Sequence, residues 1–151
     1  MEYKSNRAVI DKALQAGIKK GLDAAAIHLQ GKVKQALNGG SPSSPGSPPG
    51  KKTGDLGRSI QIDRSRNKGR YPRVRVGTNK VYARIHEFGG TITPKRAKAL
   101  HFQLADGSWR TAQRVVIPAR PFMRPTLKRE AKTMRRIIRN TIDREFAKVR
   151  G

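Results

Sequence analysis

The stretch VYARIHEFGG, Val81 to Gly90, sets a histidine beside a glutamate, followed by an aromatic residue and two glycines. A His–Glu pair is raw material for acid–base or metal chemistry. The spacing does not support it here. HEFGG is not HExxH, which would place two histidines one helical turn apart on a zinc ion. The next histidine after His86 is His101, on a different expected element, and His28 has only Asp23 nearby. There is no GxSxG nucleophile elbow and no GxxxxGK[ST] phosphate loop. GSPPGKKTG holds glycine, lysine and threonine but lacks the spacing and the preceding strand. A carboxylate pair would have to come from ten Asp and Glu, foremost Glu87 and Asp106, and nothing in the sequence brings them together. The expectation is a chain without catalysis, cofactor or metal. VYARIHEFGG then reads as a structural corner. Tyr82, Ile85 and Phe88 pack inward, Glu87 pairs with a nearby cation, and Gly89 and Gly90 supply a turn that side chains would obstruct.

The elements around this corner follow from periodicity. From Tyr3 to about Leu37, the residues Ile10, Leu14, Ile18, Leu22, Ala25, Leu29 and Val33 recur at spacings of three and four, one face of a long helix. Gly17, Gly21 and Gly31 weaken it by about 1 kcal/mol each relative to Ala. The helix therefore needs tertiary support, and its glycines would let another backbone approach. Residues 38–54, NGGSPSSPGSPPGKKTG, cannot bury apolar surface, and predict a flexible, partly polyproline-like loop within a single domain spanning 1–151. It is either a tolerated surface insertion or an arm that orders against a neighbouring subunit.

From Ile60 to Ile117 the period changes to two: Ile60 and Ile62, Val74 and Val76, then Leu100, Phe102 and Leu104, with SWRTA and RVVIP as shorter candidates. These predict a small, mostly antiparallel sheet with turns at NKG and ADG. Val81, Tyr82, Ile85 and Phe88 are spaced for a short inserted helix ended by glycine. The prolines of PARPFMRP enforce an extended approach to a last helix, with Pro125 in its first turn. Leu127, Ala131, Met134, Ile138, Ile142 and Phe146 form its apolar stripe. The fold class is α+β, with long N- and C-terminal helices covering the sheet.

Charge is the strongest compositional signal. Thirty-four Lys and Arg against ten Asp and Glu give +24 on 151 residues. Such a chain is expected to work against something anionic, nucleic acid or an acidic protein surface, rather than to carry a merely solubilising surface. On the last helix Lys128, Arg129, Lys132, Arg135, Arg136 and Arg139 offer a cationic face to DNA or an acidic partner, or else to solvent. Apolar residues make up 35% and aromatics 5%, so the core is small and mostly aliphatic. The absence of cysteine excludes disulfides and thiolate metal sites. MEYKSNRAVIDKALQ lacks the apolar run of a signal peptide, and no stretch of 18 apolar residues occurs, so a soluble chain without a membrane partner is expected.

TGDLGRSI, VYARIHEFGG and IPARPFMRP, in this order and ahead of a C-terminal helix, resemble the tail-completion or neck proteins of tailed bacteriophages, a group that includes virion morphogenesis and minor tail proteins. The pattern is carried by Thr53, Gly54, Leu56, Ser59 and Ile60; by Val76 and Gly77; by Tyr82, Ala83, Glu87, Phe88 and Gly89; and by Pro118, Arg120, Pro121, Phe122 and Pro125. The resemblance covers roughly Leu22 to the C-terminus. The Pro/Ser-rich loop and the high charge depart from it. What it implies is a structural virion protein of the head–tail junction. It also implies assembly in the host cytoplasm. Copies would form a ring, often sixfold, between the capsid connector or head-completion proteins and the tail-terminator or tail-tube proteins, with DNA in the channel.

In such a ring the extended segments 41–52 and 114–125 are natural subunit connectors. Arg120, Pro121, Phe122 and Arg124 anchor a subunit contact, or else PARPF is an internal corner with Phe122 in the core. The rival from another class is a stand-alone basic nucleic-acid-binding protein. Against it, the sequence has no helix-turn-helix, RNP-like strand or zinc finger. A nuclease ranks third, for want of convergent carboxylates.

Overall fold

The computed structural model describes residues 6–40, 43–104 and 106–150. The expected helix start at Tyr3, Ser41 of the connecting segment and Ala105 of the ADG turn lie outside them. Two long helices dominate, α1 (Arg7–Ala36) and α4 (Met123–Arg150), joined through α2 (Asp55–Arg58), α3 (Tyr82–Phe88) and six short strands. In chain order these are β1 (Gln61–Asp63), β2 (Arg75–Gly77), β3 (Gly90–Ile92), β4 (Leu100–Gln103), β5 (Trp109–Ala112) and β6 (Val115–Ile117). The class is α+β, as the change of period from 3.6 to two and back predicts.

The long helices run antiparallel against each other, and the glycines explain how closely. A Cβ on Gly17 would lie 2.8 Å from the Cα of Ile142, and one on Gly21 would lie 3.0 Å from the Cα of Ile138. Ala13, Gly17, Gly21 and Ala25 are buried at four-residue intervals, so α1 presents a groove of small residues into which α4 sets Ile138 and Ile142. The buried stripe is rotated from the one expected. Ile10 is exposed, while Leu14, Ile18 and Leu22 flank the glycine groove half-buried. A Cβ on Gly31 would meet nothing within 4 Å among the described residues. Similarly, Leu127 of the expected α4 stripe is exposed, and its neighbour Thr126 is buried in its place.

The core lies where the C-terminal half of α1 meets the start of α4. Leu29, Val33, Leu37, Ile60, Ala83 and Phe122 form it, with Leu56, Val76, Met123 and Met134 packed around. Its modest size follows from the low apolar content.

One continuous sheet does not form. The strands pair as three separate two-stranded antiparallel ladders, β1 with β2, β3 with β6 and β4 with β5. Their registers centre on Ile62 opposite Val76, Thr91 opposite Val116 and His101 opposite Thr111. Each strand has only three or four residues and pairs with one neighbour among the described residues. β3 has no alternating signature in the sequence. It exists because its ladder with β6 returns the chain to the corner.

Candidate functional site

VYARIHEFGG and IPARPFMRP, 30 or so residues apart, are halves of one structural device. The β3–β6 ladder pairs Gly90 with Ile117. Just before it, Gly89 turns the chain at φ +68°, where a Cβ would meet the Ala119 nitrogen at 2.8 Å and the Ile117 oxygen at 3.0 Å. Only glycine fits both the conformation and the space. The next contact is between backbones, as the Arg120 N–H donates to the His86 carbonyl at 2.6 Å.

Glu87 then reaches the first turn of α4. Its Oε2 accepts from the backbone nitrogens of Phe122 at 2.8 Å and Met123 at 2.9 Å, and its Oε1 from that of Arg124 at 2.9 Å. These are donors that a helix N-terminus leaves unpaired, and a carboxylate there also faces the positive end of the helix dipole. The expectation that Glu87 pairs with a cation is therefore corrected. It is a buried cap supplied from another helix. Pro125 has no N–H and needs no partner in that turn.

The other corner residues divide differently from the expectation. Ala83 and Glu87 are the buried positions of α3, and Ile85 is half-buried. Tyr82 and Phe88 do not pack inward; they are 42% and 53% exposed. A seven-residue helix buries only one narrow face, and Ala83 and Glu87, four apart, occupy it. His86 is half-buried, with its Nδ1 shielded and without a hydrogen-bond partner among the described residues. Burial, and secondarily the Arg120 guanidinium, hold its pKa below the ordinary histidine value.

The four residues offered as a subunit contact have separate roles. Phe122 is 1% exposed and fills the core, so its ring has no surface for a neighbour. Arg120 is engaged within the chain, its Nε donating to the Ser43 carbonyl at 3.1 Å. A second bond, from the Gly46 nitrogen to the Ala119 carbonyl at 2.9 Å, and the burial of Pro49 lay the Gly/Ser/Pro-rich segment across the corner. Pro121 is half-buried. Only Arg124 faces outward, its guanidinium 4.5 Å from the centroid of the Phe88 ring. Exposed Leu127 follows it by one turn on α4. Phe88, Arg124 and Leu127 thus make a surface that the sequence alone does not reveal, because periodicity assigns both apolar residues to the interior.

TGDLGRSI is also architectural. Gly54 adopts φ +78° ahead of α2, Thr53 and Arg58 bind the Asp55 carboxylate, and Ser59 joins the Leu56 carbonyl to Thr78. Ile60 is fully buried.

The cationic face of α4 is open. Lys128, Arg129, Lys132, Arg135, Arg136 and Arg139 are all exposed, and of these only Arg129 has a carboxylate partner among the described residues, Glu130 at 3.3 Å. Arg135, Arg136 and Arg139 line one shallow recess with Lys132. Among the described residues, no three His, Asp or Glu side chains gather where a metal ion would sit. In the same residues, no helix is long and apolar enough to cross a membrane.

Two family models match this chain. That of the phage virion morphogenesis family covers residues 50–146, all three motifs included. The chain belongs to that family. The model of the HK97-gp10-like family of bacteriophage tail components covers residues 5–89, α1 and the corner helix among them, again more than half of the chain. No curated protein and no solved structure matches significantly. Within the matched region the motifs are architectural: VYARIHEFGG and IPARPFMRP hold α3, β3, β6 and α4 in one corner, and TGDLGRSI builds α2.

Proposed function

We propose that this phage protein is a structural, non-catalytic component of the head–tail junction, a tail-completion or neck protein whose copies close into a hexameric ring. The ring would assemble in the host cytoplasm and join the tail, through tail-terminator or tail-tube proteins, to the capsid connector. The family match over residues 50–146 carries the reading.

The geometry supports assembly in two ways. Three two-stranded ladders leave strand edges open to pairing from outside. Apolar side chains that a small lone domain would rather bury remain exposed, Val81 at 92%, Val116 at 65% and Trp109 at 61% among them. Phe88, Arg124 and Leu127 are the contact we assign between subunits. Among the described residues of segment 38–54, 38–40, 44–47 and 51–53 are exposed and available to a neighbour. The α4 cations would face DNA in the channel or acidic connector subunits.

The test uses nuclease-treated full-length protein at high salt, with mass by light scattering and particles imaged by electron microscopy. Rings of uniform size are expected, or, for a subunit that closes only on its target, co-sedimentation with purified tails lacking this protein. A monomer that ignores tails and binds duplex DNA tightly at low salt would overturn the proposal. It would favour the second reading, a stand-alone nucleic-acid-binding protein, for which the net charge of +24 speaks. The salt response separates the two, because packed interfaces survive salt that releases phosphate contacts.

A further inference from the structure

The β1–β2 connection with the first residue of β2, Arg64 to Arg75, reads RSRNKGRYPRVR: six cations in twelve residues, no carboxylate and one tyrosine. It is separate from the α4 face and takes no part in the corner. The loop is held in shape at several points. Arg64 pairs with Asp23 of α1, and the Asn67 side-chain amide donates to the Lys19 carbonyl at 3.1 Å. Within the loop the Asn67 nitrogen donates to Arg64 at 2.8 Å, and the Arg73 nitrogen to Arg66 at 2.9 Å. A positive φ of +72° at Gly69 turns the tip.

On this frame Arg66, Lys68, Tyr71 and Arg73 line one shallow recess with Ser65. Arg66, Lys68, Arg70, Arg73 and Arg75 are all exposed, and none has an ion-pair partner among the described residues. The adjoining carboxylate, Asp63, accepts from the Ser65 nitrogen at 2.8 Å, and its charge partly offsets those of Arg75 and Arg66 but not those of Lys68, Arg70 and Arg73. Tyr71 is 77% exposed, a large flat ring standing in water amid guanidinium groups.

A protein interface also uses Arg and Tyr, but its centre is poor in charge, and five cations without ion-pair partners among the described residues crowd this one ring. A nucleic acid uses both cations and ring. Guanidinium forks match phosphate oxygens, and an exposed aromatic ring offers a face on which an unpaired base stacks. Because α1 already fixes the loop, less ordering is required on binding than for a free basic tail.

We propose that the β1–β2 loop is a nucleic-acid-binding platform, in which Arg66, Lys68 and Arg73 grip the phosphodiester backbone and Tyr71 stacks on an unpaired base. The site is independent of the ring contact assigned above, and light scattering on the same samples reports that reading separately.

The experiment measures fluorescence anisotropy of a labelled oligothymidine of about twenty nucleotides and of a duplex of equal length, titrated with full-length protein across a salt series. The Arg66→Ala/Lys68→Ala/Arg73→Ala variant is compared with Lys132→Ala/Arg135→Ala/Arg136→Ala, which removes the same charge from α4. The loop variant is expected to lose at least about tenfold more affinity for oligothymidine, with a log–log salt slope shallower by about 2, from three contacts at about 0.7 each. Tyr71→Ala is expected to weaken oligothymidine binding about 5- to 100-fold with the slope unchanged and duplex binding nearly intact, and Tyr71→Phe to restore it. Equal losses from the two charge variants would overturn the platform, since net charge alone would then explain binding. So would competition by polyglutamate as effective as by unlabelled oligothymidine. Equal effects of Tyr71→Ala on duplex and single strand would overturn the stacking. Unchanged circular dichroism melting ensures that each variant is folded.

Discussion

The Glu87 carboxylate lies 2.8 Å from the backbone nitrogen of Phe122, a residue 35 positions later in the chain and the most deeply placed aromatic of the core. That one contact couples the end of α3 to the beginning of α4, and the same carboxylate takes the next two nitrogens as well. Removing it leaves three donors without partners in a closed site. Glu87→Ala is expected to cost about 3 kcal/mol in urea unfolding, and Glu87→Gln, which retains one amide oxygen, about half of that. A loss below about 0.5 kcal/mol for Glu87→Ala would mean that water replaces the cap.

The glycines of α1 separate two effects that a helix usually mixes. Alanine gains about 1 kcal/mol over glycine in helix propensity. At Gly31, with nothing within 4 Å among the described residues, Gly31→Ala should therefore stabilise by up to that amount. At Gly17 the obstacle is backbone, the Ile142 Cα at 2.8 Å, so the helices must part. Gly17→Ala is expected to destabilise by about 1–2 kcal/mol net of the propensity gain. Thermal unfolding of both variants checks the opposite signs.

These two cases also show what a sequence can express. Helix lengths, the change of period and the turn at Gly89 are local, so α1, α3 and α4 emerge from spacing. The face that α1 buries emerges in part: the close backbone approach expected at its glycines occurs at Gly17 and Gly21 but not at Gly31, while Ile10, placed on the apolar stripe by its spacing, is exposed. Glu87 was legible as a carboxylate in a corner but not as a cap, since its partners are backbone groups of a distant segment. Phe88 and Leu127 follow helical spacing and still face outward, because α3 and the first turn of α4 have one side each turned away from the core. β3 carries no signal of its own and is specified by its partner β6.

His86 gives the fold a pH dependence of definite sign. Burial, then Arg120, lowers its pKa below the ordinary 6.5, so the folded chain resists a proton that the unfolded chain accepts. Its contribution is fully present above about pH 6.5 and is lost as pH falls from there through the folded value. The difference in unfolding free energy between the wild type and His86→Gln should thus shift against the wild type on acidification below pH 6.5 and stay constant above it. A difference that is flat across that range would show that His86 is protonated equally in both states.

Arg120 ties the Gly/Ser/Pro-rich segment to the corner through the Ser43 carbonyl. Losing that bond costs about 1 kcal/mol locally and leaves the core untouched. Arg120→Ala should therefore speed tryptic cleavage after Lys51 and Lys52 severalfold, with the midpoint of global unfolding little changed. Cleavage at the wild-type rate would mean that the bond from Gly46 to Ala119 and the buried Pro49 hold the segment by themselves.

The outward surface of Phe88, Arg124 and Leu127 is the place where assembly and stability should come apart. Phe88 and Leu127 are about half exposed, so replacing them removes little from the folded chain, whereas a charge at the centre of a packed interface is costly. Phe88→Glu with Leu127→Glu is expected to abolish rings, or co-sedimentation with tails, while unfolding free energy changes by less than about 0.5 kcal/mol per site. Phe122→Ala supplies the contrast: it should cost about 3–5 kcal/mol, and any loss of assembly would then follow from loss of fold. If the double glutamate variant assembles normally, the subunit contact lies elsewhere, and the open ladder edges and Trp109 become the surfaces to change next.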